Sequence, residues 1–298
     1  MAVSKKRFII DQIKKSGIPL ELEITSIINS IDGWATINDN YFFDNDLKKH
    51  REFDILAGVM AFATNYPFEL NMLIQCKKIP GNVWVFFKTK VFPIYQIFYE
   101  LTYFEIAKAE PEDARFDVFN EDKLHFKNSD TTATRYVEII TDADKSNKRT
   151  DNIFSSAMTL IKAMLYRKRR SIERENELIK KGLLEGTENL DEPFSSVKVF
   201  YPVIVFDGDV YEADIIKRKI IIKPVKYIKL LVSHEDYNFC IDVVTKDYFE
   251  SYLKETKKDF LIFKKRIDKV SKKWDSGIME IFDNYKMKVF EKLRKSTS

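Results

Sequence analysis

Apolar positions change period several times along the chain, and each change marks an element. Phe8, Ile9 and Ile13 recur at helical spacing and predict a helix over 4–15, stopped by Ser16-Gly17. Pro19 opens a second helix through Ile31, with Leu20, Ile24, Ile27, Ile28 and Ile31 on its inner side. Proline suits the first turn because no helical N–H is needed there. Asp32-Gly33 ends this helix. Strand-like runs follow at 34–44, 52–61 and 68–77, and at 83–88 after the turn Pro80-Gly81-Asn82. The apolar stretch 91–109 predicts a largely buried helix, 109–128 an acidic irregular excursion, and 134–142 a strand. The longest helical pattern runs from Asp151, its N-cap, to Lys181, with Gly182 as C-cap. Beyond a polar linker, strands recur at 197–206, 210–215, 219–223, 228–233 and 239–244. Asp207-Gly208-Asp209 and Lys217-Arg218 mark hairpin turns between them. Helices close the chain from Lys246.

This order predicts an α/β or α+β layered fold, with helices on both faces of a mixed sheet. Residues 1–145 form the expected core, 146–190 a long helix with its linker, and 191–298 a β-rich extension with basic C-terminal helices. The late strands either stand apart or rejoin the first sheet. A composition of 45% hydrophobic and 32% charged residues supports a packed core and argues against disorder. With only 8 Gly and 8 Pro, a loop-rich all-β scaffold is disfavoured. Cys76 and Cys240 lie in apolar runs and read as reduced core residues of a cytoplasmic protein. The N-terminus lacks an apolar leader pattern, and no window is apolar enough to span a bilayer, so no membrane association is expected. Net charge is +4, and residues 246–298 carry 15 Lys+Arg against 9 Asp+Glu, so the basicity belongs to the tail. His50, His125 and His234 show no ligand spacing, and zinc, dinucleotide, P-loop and serine-elbow motifs are absent.

Side chains alternate faces along a strand, so Gln75 and Lys77 share one face while Cys76 points to the other. Glu52 and Asp54 likewise share a face of the preceding strand. If the two strands pair antiparallel, Asp54 approaches Gln75 and Lys77. The Asp54 carboxylate, the Gln75 amide oxygen and the Cys76 backbone carbonyl are hard oxygen ligands of the kind Mg²⁺ or Mn²⁺ takes. A metal so held acidifies bound water, and a lysine beside it orients that water or stabilises developing charge. Each residue also has a plainer reading: Asp54 as a strand-end cap, Lys77 as a snorkelling lysine, Glu21 as a first-turn carboxylate on the helix dipole, and Gln75 as an amide serving nearby backbone.

Asp54 followed by Gln75-Cys76-Lys77 resembles the PD-(D/E)XK, restriction-endonuclease-like nuclease superfamily. Phe53 stands where that pattern usually has proline, and Gln75 where most members have Asp or Glu. Gln-x-Lys is similar to the Mrr-type restriction endonucleases. The stretch from Ser16 to Glu21 resembles the family's early helix start and makes Glu21 the matching metal ligand, with Glu23 the fallback. Glu52, two residues before Asp54, also fits. The resemblance covers residues 5–105, about a third of the chain. It implies a helix–three strands–helix–strand core, which helix 19–31, the first strands, helix 91–109 and strand 134–142 would supply. It further implies Mg²⁺- or Mn²⁺-dependent hydrolysis of DNA phosphodiesters in defence or repair, by a homodimer when both strands are cut. Glu21, Asp54, Gln75 and the Cys76 carbonyl would hold the metal, Lys77 would assist the water, and Glu52 and Gln96, or Tyr95, would support the site. The alternative is a catalytically inactive nuclease-fold protein that binds nucleic acid or a partner protein, a reading favoured by the neutral Gln75. On the long helix, Arg167, Arg170 and Arg174 fall on adjacent turns as a candidate phosphate-facing stripe, diluted by Glu173, Glu175 and Glu177.

Overall fold

The computed structural model describes residues 2–37, 40–63, 66–79, 81–89, 102–104, 132–140, 151–185, 197–235 and 237–268. Two helices open the chain, α1 (Ala2–Lys15) and α2 (Ile18–Ser30). Leu20, Ile24 and Ile28 of α2 are buried one helical turn apart, as the apolar stripe required. Gly33 takes φ +80° after the helix, a conformation that side-chain-bearing residues rarely adopt.

The run 34–44 divides into β1 (Ala35–Ile37) and β2 (Tyr41–Asp44). The run 52–61 likewise divides into β3 (Lys49–Glu52) and β4 (Ile55–Ala63), leaving Phe53 and Asp54 between them. Asn40 holds that break. Its carbonyl accepts the Phe53 N–H at 3.1 Å, and its side-chain amide donates to the Phe53 carbonyl at 2.9 Å. Strands β2 and β3 then pair separately as a two-stranded sheet. Next come β5 (Tyr66–Lys77), β6 (Asn82–Thr89), β7 (Thr102–Phe104) and β8 (Thr132–Ile140). The helix expected over 91–109 is corrected at 102–104, where Thr102, Tyr103 and Phe104, all strand-favouring types, pair with a later strand; the rest of that span lies outside the described residues.

Helix α3 (Asn152–Glu185) starts where Asp151 accepts the Phe154 N–H on its side chain at 2.9 Å. It runs through Gly182, the expected C-cap, because one glycine costs a helix interior only about 1 kcal/mol. The later strands are β9 (Val197–Phe206), β10 (Asp209–Ile216), β11 (Lys219–Pro224), β12 (Tyr227–His234) and β13 (Tyr237–Thr245). A 3-10 turn (Lys246–Tyr248) leads into α4, helical over the described residues 249–268.

The fold is α/β, with a mixed sheet ordered β1-β4-β5-β9-β13-β12-β8-β6-β10-β11 and β7 lying against β9. Strand β4 is antiparallel to β1 and β5. The parallel neighbour of β5 is β9, which lies along it from Phe68↔Val197 to Lys77↔Phe206. The strand expected in that place, 134–142, forms β8 and pairs with β6 and β12 instead. Strand β8 is buried at Thr132 and Ala133, where it meets β12, and then alternates exposed and partly buried positions along β6, whereas β9 is nearly continuous apolar residues suited to burial between neighbours.

Strands β5 and β9 both break at the same level. Lys77 pairs with Phe206, the chains interrupt at 78–81 and 207–208, and parallel pairing resumes between β6 and β10 at Val83↔Asp209. The Asp207 N–H donates to the Lys77 carbonyl at 2.8 Å across the interruption. Gly208 is required there, since a Cβ would stand 2.6 Å from the Phe206 ring. That ring stacks on Trp84 with centroids 3.9 Å apart. Helix α3 packs on β2, β5 and β9, and α4 covers Phe68 through Phe260 and Phe263. Cys76 and Cys240 are both buried free thiols. Among the described residues, no helix is long and apolar enough to cross a membrane.

Candidate active site

Asp54 occupies the bend between β3 and β4, one residue before the β4–β5 ladder begins at Ile55↔Ile74. Continuing that register by one residue sets Asp54 opposite Gln75. Where the β4 backbone leaves the ladder, the side chain replaces it: the Cys76 N–H donates to Asp54 Oδ2 at 2.6 Å. Burial raises the Asp54 pKa above its ordinary value, and the Glu52 charge adds to the rise. The Cys76 N–H, the Lys77 ammonium and the Gln75 side chain oppose it without cancelling it.

Glu21 lies in the first turn of α2. Its pKa is also raised, first by burial and then by the carboxylates of Asp54 and Glu52, with Lys77 acting the other way. The charges of Asp54, Glu52 and Lys77 thus reach Glu21, and those of Lys77 and Glu52 reach Asp54. The Cys76 thiol, on the same strand, is pushed up by burial and by Asp54 and Glu21. Gln75 is buried, Asp54 and Lys77 are partly buried, and Glu52 is exposed. The two carboxylates, an amide and a backbone carbonyl are a donor set of the type Mg²⁺ takes with several of its own waters. Among the described residues, no three His, Cys, Asp or Glu side chains are grouped as a metal site.

The fallback ligand, Glu23, is engaged elsewhere, with Lys246 Nζ 3.4 Å from its carboxylate. Lys246 also lies 3.7 Å from Asp207, which pairs with Lys78 at 3.1 Å. This rim joins α2 to the carboxyl ends of the parallel strands β5, β9 and β13, where open α/β sheets place ligands. Lys246 and Asp207 were not legible as neighbours of Lys77 in the sequence, because only the pairings β5–β9 and β9–β13 bring them there. Tyr95 and Gln96 lie outside the described residues.

Arg167, Arg170 and Arg174 line a cleft of about 740 Å³ between α3 and the sheet, with Tyr41, His50, Leu56, Asn71, Tyr166 and Phe200. Leu56 and Asn71 alternate in step with Asp54 and Gln75, so cleft and site open on one sheet face. Arg167 also lies over the Phe53 ring, 5.5 Å from its centroid. Acidic side chains share the lining: Glu69, Glu173 and Glu177 stand beside the arginines and Lys198, and Arg170 pairs with Glu173 at 3.4 Å.

Two acidic residues of the second half, Glu212 and Asp242, have structural partners. Glu212 pairs with Lys88 at 3.6 Å. Asp242 is buried and accepts hydrogen bonds from the Tyr227 hydroxyl at 3.0 Å and the Tyr252 hydroxyl at 2.6 Å. No family model, curated protein or solved structure matches the chain.

Proposed function

We propose that the protein is a divalent-metal-dependent nuclease of the restriction-endonuclease-like type, acting on DNA. The observation that supports this reading is the Asp54 carboxylate held against the Gln75-Cys76-Lys77 strand end by the Cys76 N–H, with the charges of Asp54 and Lys77 acting on Glu21 of α2. Two carboxylates whose ionisation is disfavoured by burial, that of Glu21 further by Asp54, form a place where a cation would be stabilised. With β2, β3 and β6 to β8 set aside as insertions, α2, β1, β4, β5, α3 and β9 would supply a helix, three strands, a helix and a strand in that order. The arginines of the neighbouring cleft supply cations on the same face for a phosphate backbone.

In this reading Glu21, Asp54, the Gln75 amide oxygen and the Cys76 carbonyl hold Mg²⁺ or Mn²⁺. The metal, when bound, supplies an acidified water and neutralises phosphate charge. The Lys77 ammonium would stand beside the scissile phosphate, to orient the attacking water or to stabilise charge on the phosphate oxygens. The Cys76 N–H fixes one Asp54 oxygen. Glu52 keeps the local potential negative. A homodimer would place two such sites against the two strands of a duplex.

DNA cleavage in Mg²⁺ or Mn²⁺ tests this directly. Asp54→Ala and Lys77→Ala each lower cleavage by at least about a thousandfold, a loss typical of removing a group that acts in the transition state. Activity retained in both variants rejects the assignment. Gln75 favours a second reading, a catalytically silent nuclease-fold protein that binds nucleic acid or a partner. A metal titration separates the two: Mn²⁺ binding lost in Asp54→Ala supports the enzyme, and DNA binding without metal binding supports the silent protein. Under the enzyme reading, Gln75→Glu tightens Mn²⁺ binding because it adds a charged ligand.

A further inference from the structure

Strand β11 ends the large sheet, and among the described residues no strand pairs with its outer side. Its sequence, Lys219-Ile220-Ile221-Ile222-Lys223-Pro224, is exposed throughout, with Ile220 67%, Ile221 51% and Ile222 59% accessible. Successive strand residues face opposite sides, so the isoleucines present apolar surface on both faces of the edge. An edge of this kind templates pairing with another chain.

The inner and outer backbone groups of β11 can be told apart. The Val225 N–H donates to the Val210 carbonyl at 2.9 Å, so odd-numbered residues turn their N–H groups toward β10. Even-numbered residues turn theirs outward. Pro224, which has no N–H, falls on the outward side, where an edge strand tolerates it. The open groups are therefore the N–H and C=O of Ile220 and Ile222.

Charge selects the occupant. Between Ile215 and Lys226 the chain carries Lys217, Arg218, Lys219, Lys223 and Lys226 and no acidic residue. A second copy pairing antiparallel about Ile221 would set Lys219 against Lys223 of its partner twice, and like charges directly opposite are unfavourable. A lipid surface would leave the outward backbone groups of Ile220 and Ile222 without partners. An extended peptide with three apolar residues between two acidic ones satisfies every feature: backbone to backbone, apolar to the isoleucines, and carboxylates to Lys219 and Lys223. We propose that β11 is a docking edge for an acidic-flanked apolar segment of a partner protein, which adds a further strand to the sheet.

The probe is the fluorophore-labelled peptide Ser-Glu-Val-Ile-Val-Glu-Ser, blocked at both ends, compared with its counterpart carrying Lys for Glu. Anisotropy is expected to show the Glu peptide binding the full-length protein roughly tenfold or more tightly than the Lys peptide, from two favourable cross-strand charge pairs in place of two unfavourable ones. Lys219→Glu with Lys223→Glu is expected to reverse that preference. Ile222→Pro removes an outward N–H without touching the β10 ladder and is expected to abolish binding. Amide hydrogen exchange supplies the folding control and the signature. The peptide slows exchange at Ile220 and Ile222, whereas Ile221 and Lys223 are protected with or without it, and remain so in Ile222→Pro. Equal binding of the two peptides, no binding of either, or binding that leaves Ile220 and Ile222 unprotected overturns the proposal. Self-association through β11 that Ile222→Pro removes, or capture by anionic vesicles in place of the Glu peptide, also overturns it.

Discussion

The Asp54 carboxylate stands where a main-chain carbonyl would otherwise continue the ladder, and burial disfavours its charge there. A carboxyl whose folded-state pKa is raised costs stability at any pH above that raised value, and the cost is gone below its ordinary range near 3.8. Asp54→Asn keeps an oxygen to accept the Cys76 N–H and removes the charge. It should raise the melting midpoint at pH 7 by on the order of 1–2 °C, with the gain shrinking as pH falls through the carboxylate range. Calorimetry at pH 7 and pH 4 checks both the sign and the trend. In the metal-dependent reading, Mg²⁺ stabilises the wild type in the same experiment and leaves Asp54→Asn unmoved. Glu21, coupled to the same charges, should follow Asp54 in direction when changed to Gln.

The β2–β3 hairpin is tied to α3 around a buried carboxylate, Asp44. Burial alone would raise the Asp44 pKa, but the Leu47 N–H, Lys162 and Arg51 outweigh it and hold it at about 2. Arg51 Nη1 and Lys162 Nζ both lie 3.2 Å from that carboxylate, and Arg51 also donates to Thr159 on α3 at 3.0 Å. Because this pKa is lowered, the stabilisation is present above about 3.8 and is lost as pH falls toward about 2. Asp44→Ala should destabilise the protein by about 2–4 kcal/mol at pH 7 and by less at pH 3, read from urea unfolding at each pH. Local patterns of this scale were largely legible: the α2 stripe, the Asp151 cap and the five late strands follow from period and turn residues alone. The break at Phe53-Asp54 was not, because it depends on Asn40, whose side chain binds a segment it precedes by thirteen residues. Strand β7 was hidden for a similar reason, since its apolar residues fit a helix until β9 is known to lie beside them.

Across the whole molecule, local pattern cannot say which strands become neighbours. Asp54 and the Gln75–Lys77 segment were legible as neighbours because a short antiparallel connection joins β4 to β5, whereas Glu21 came only from the resemblance of its helix start. Lys246, Asp207 and the arginine cleft depend on β9, which reaches β5 only through α3. The paired interruption of β5 and β9 is the main long-range joint, and Gly208→Ala should loosen it. A methyl 2.6 Å from the Phe206 ring must displace the ring or the turn, at a cost of about 1–3 kcal/mol in urea unfolding. Indole fluorescence should change as well, because Phe206 stacks on Trp84. The side-by-side run of β5 and β9 also has a consequence for synthesis. Until residues 197–206 leave the ribosome, β5 has one hydrogen-bonding side unmet, and the nascent chain carries a sticky ribbon that a chaperone or a neighbouring nascent chain can claim. Lys77 then acquires its backbone partner, Asp207, only after about 130 further residues have been added.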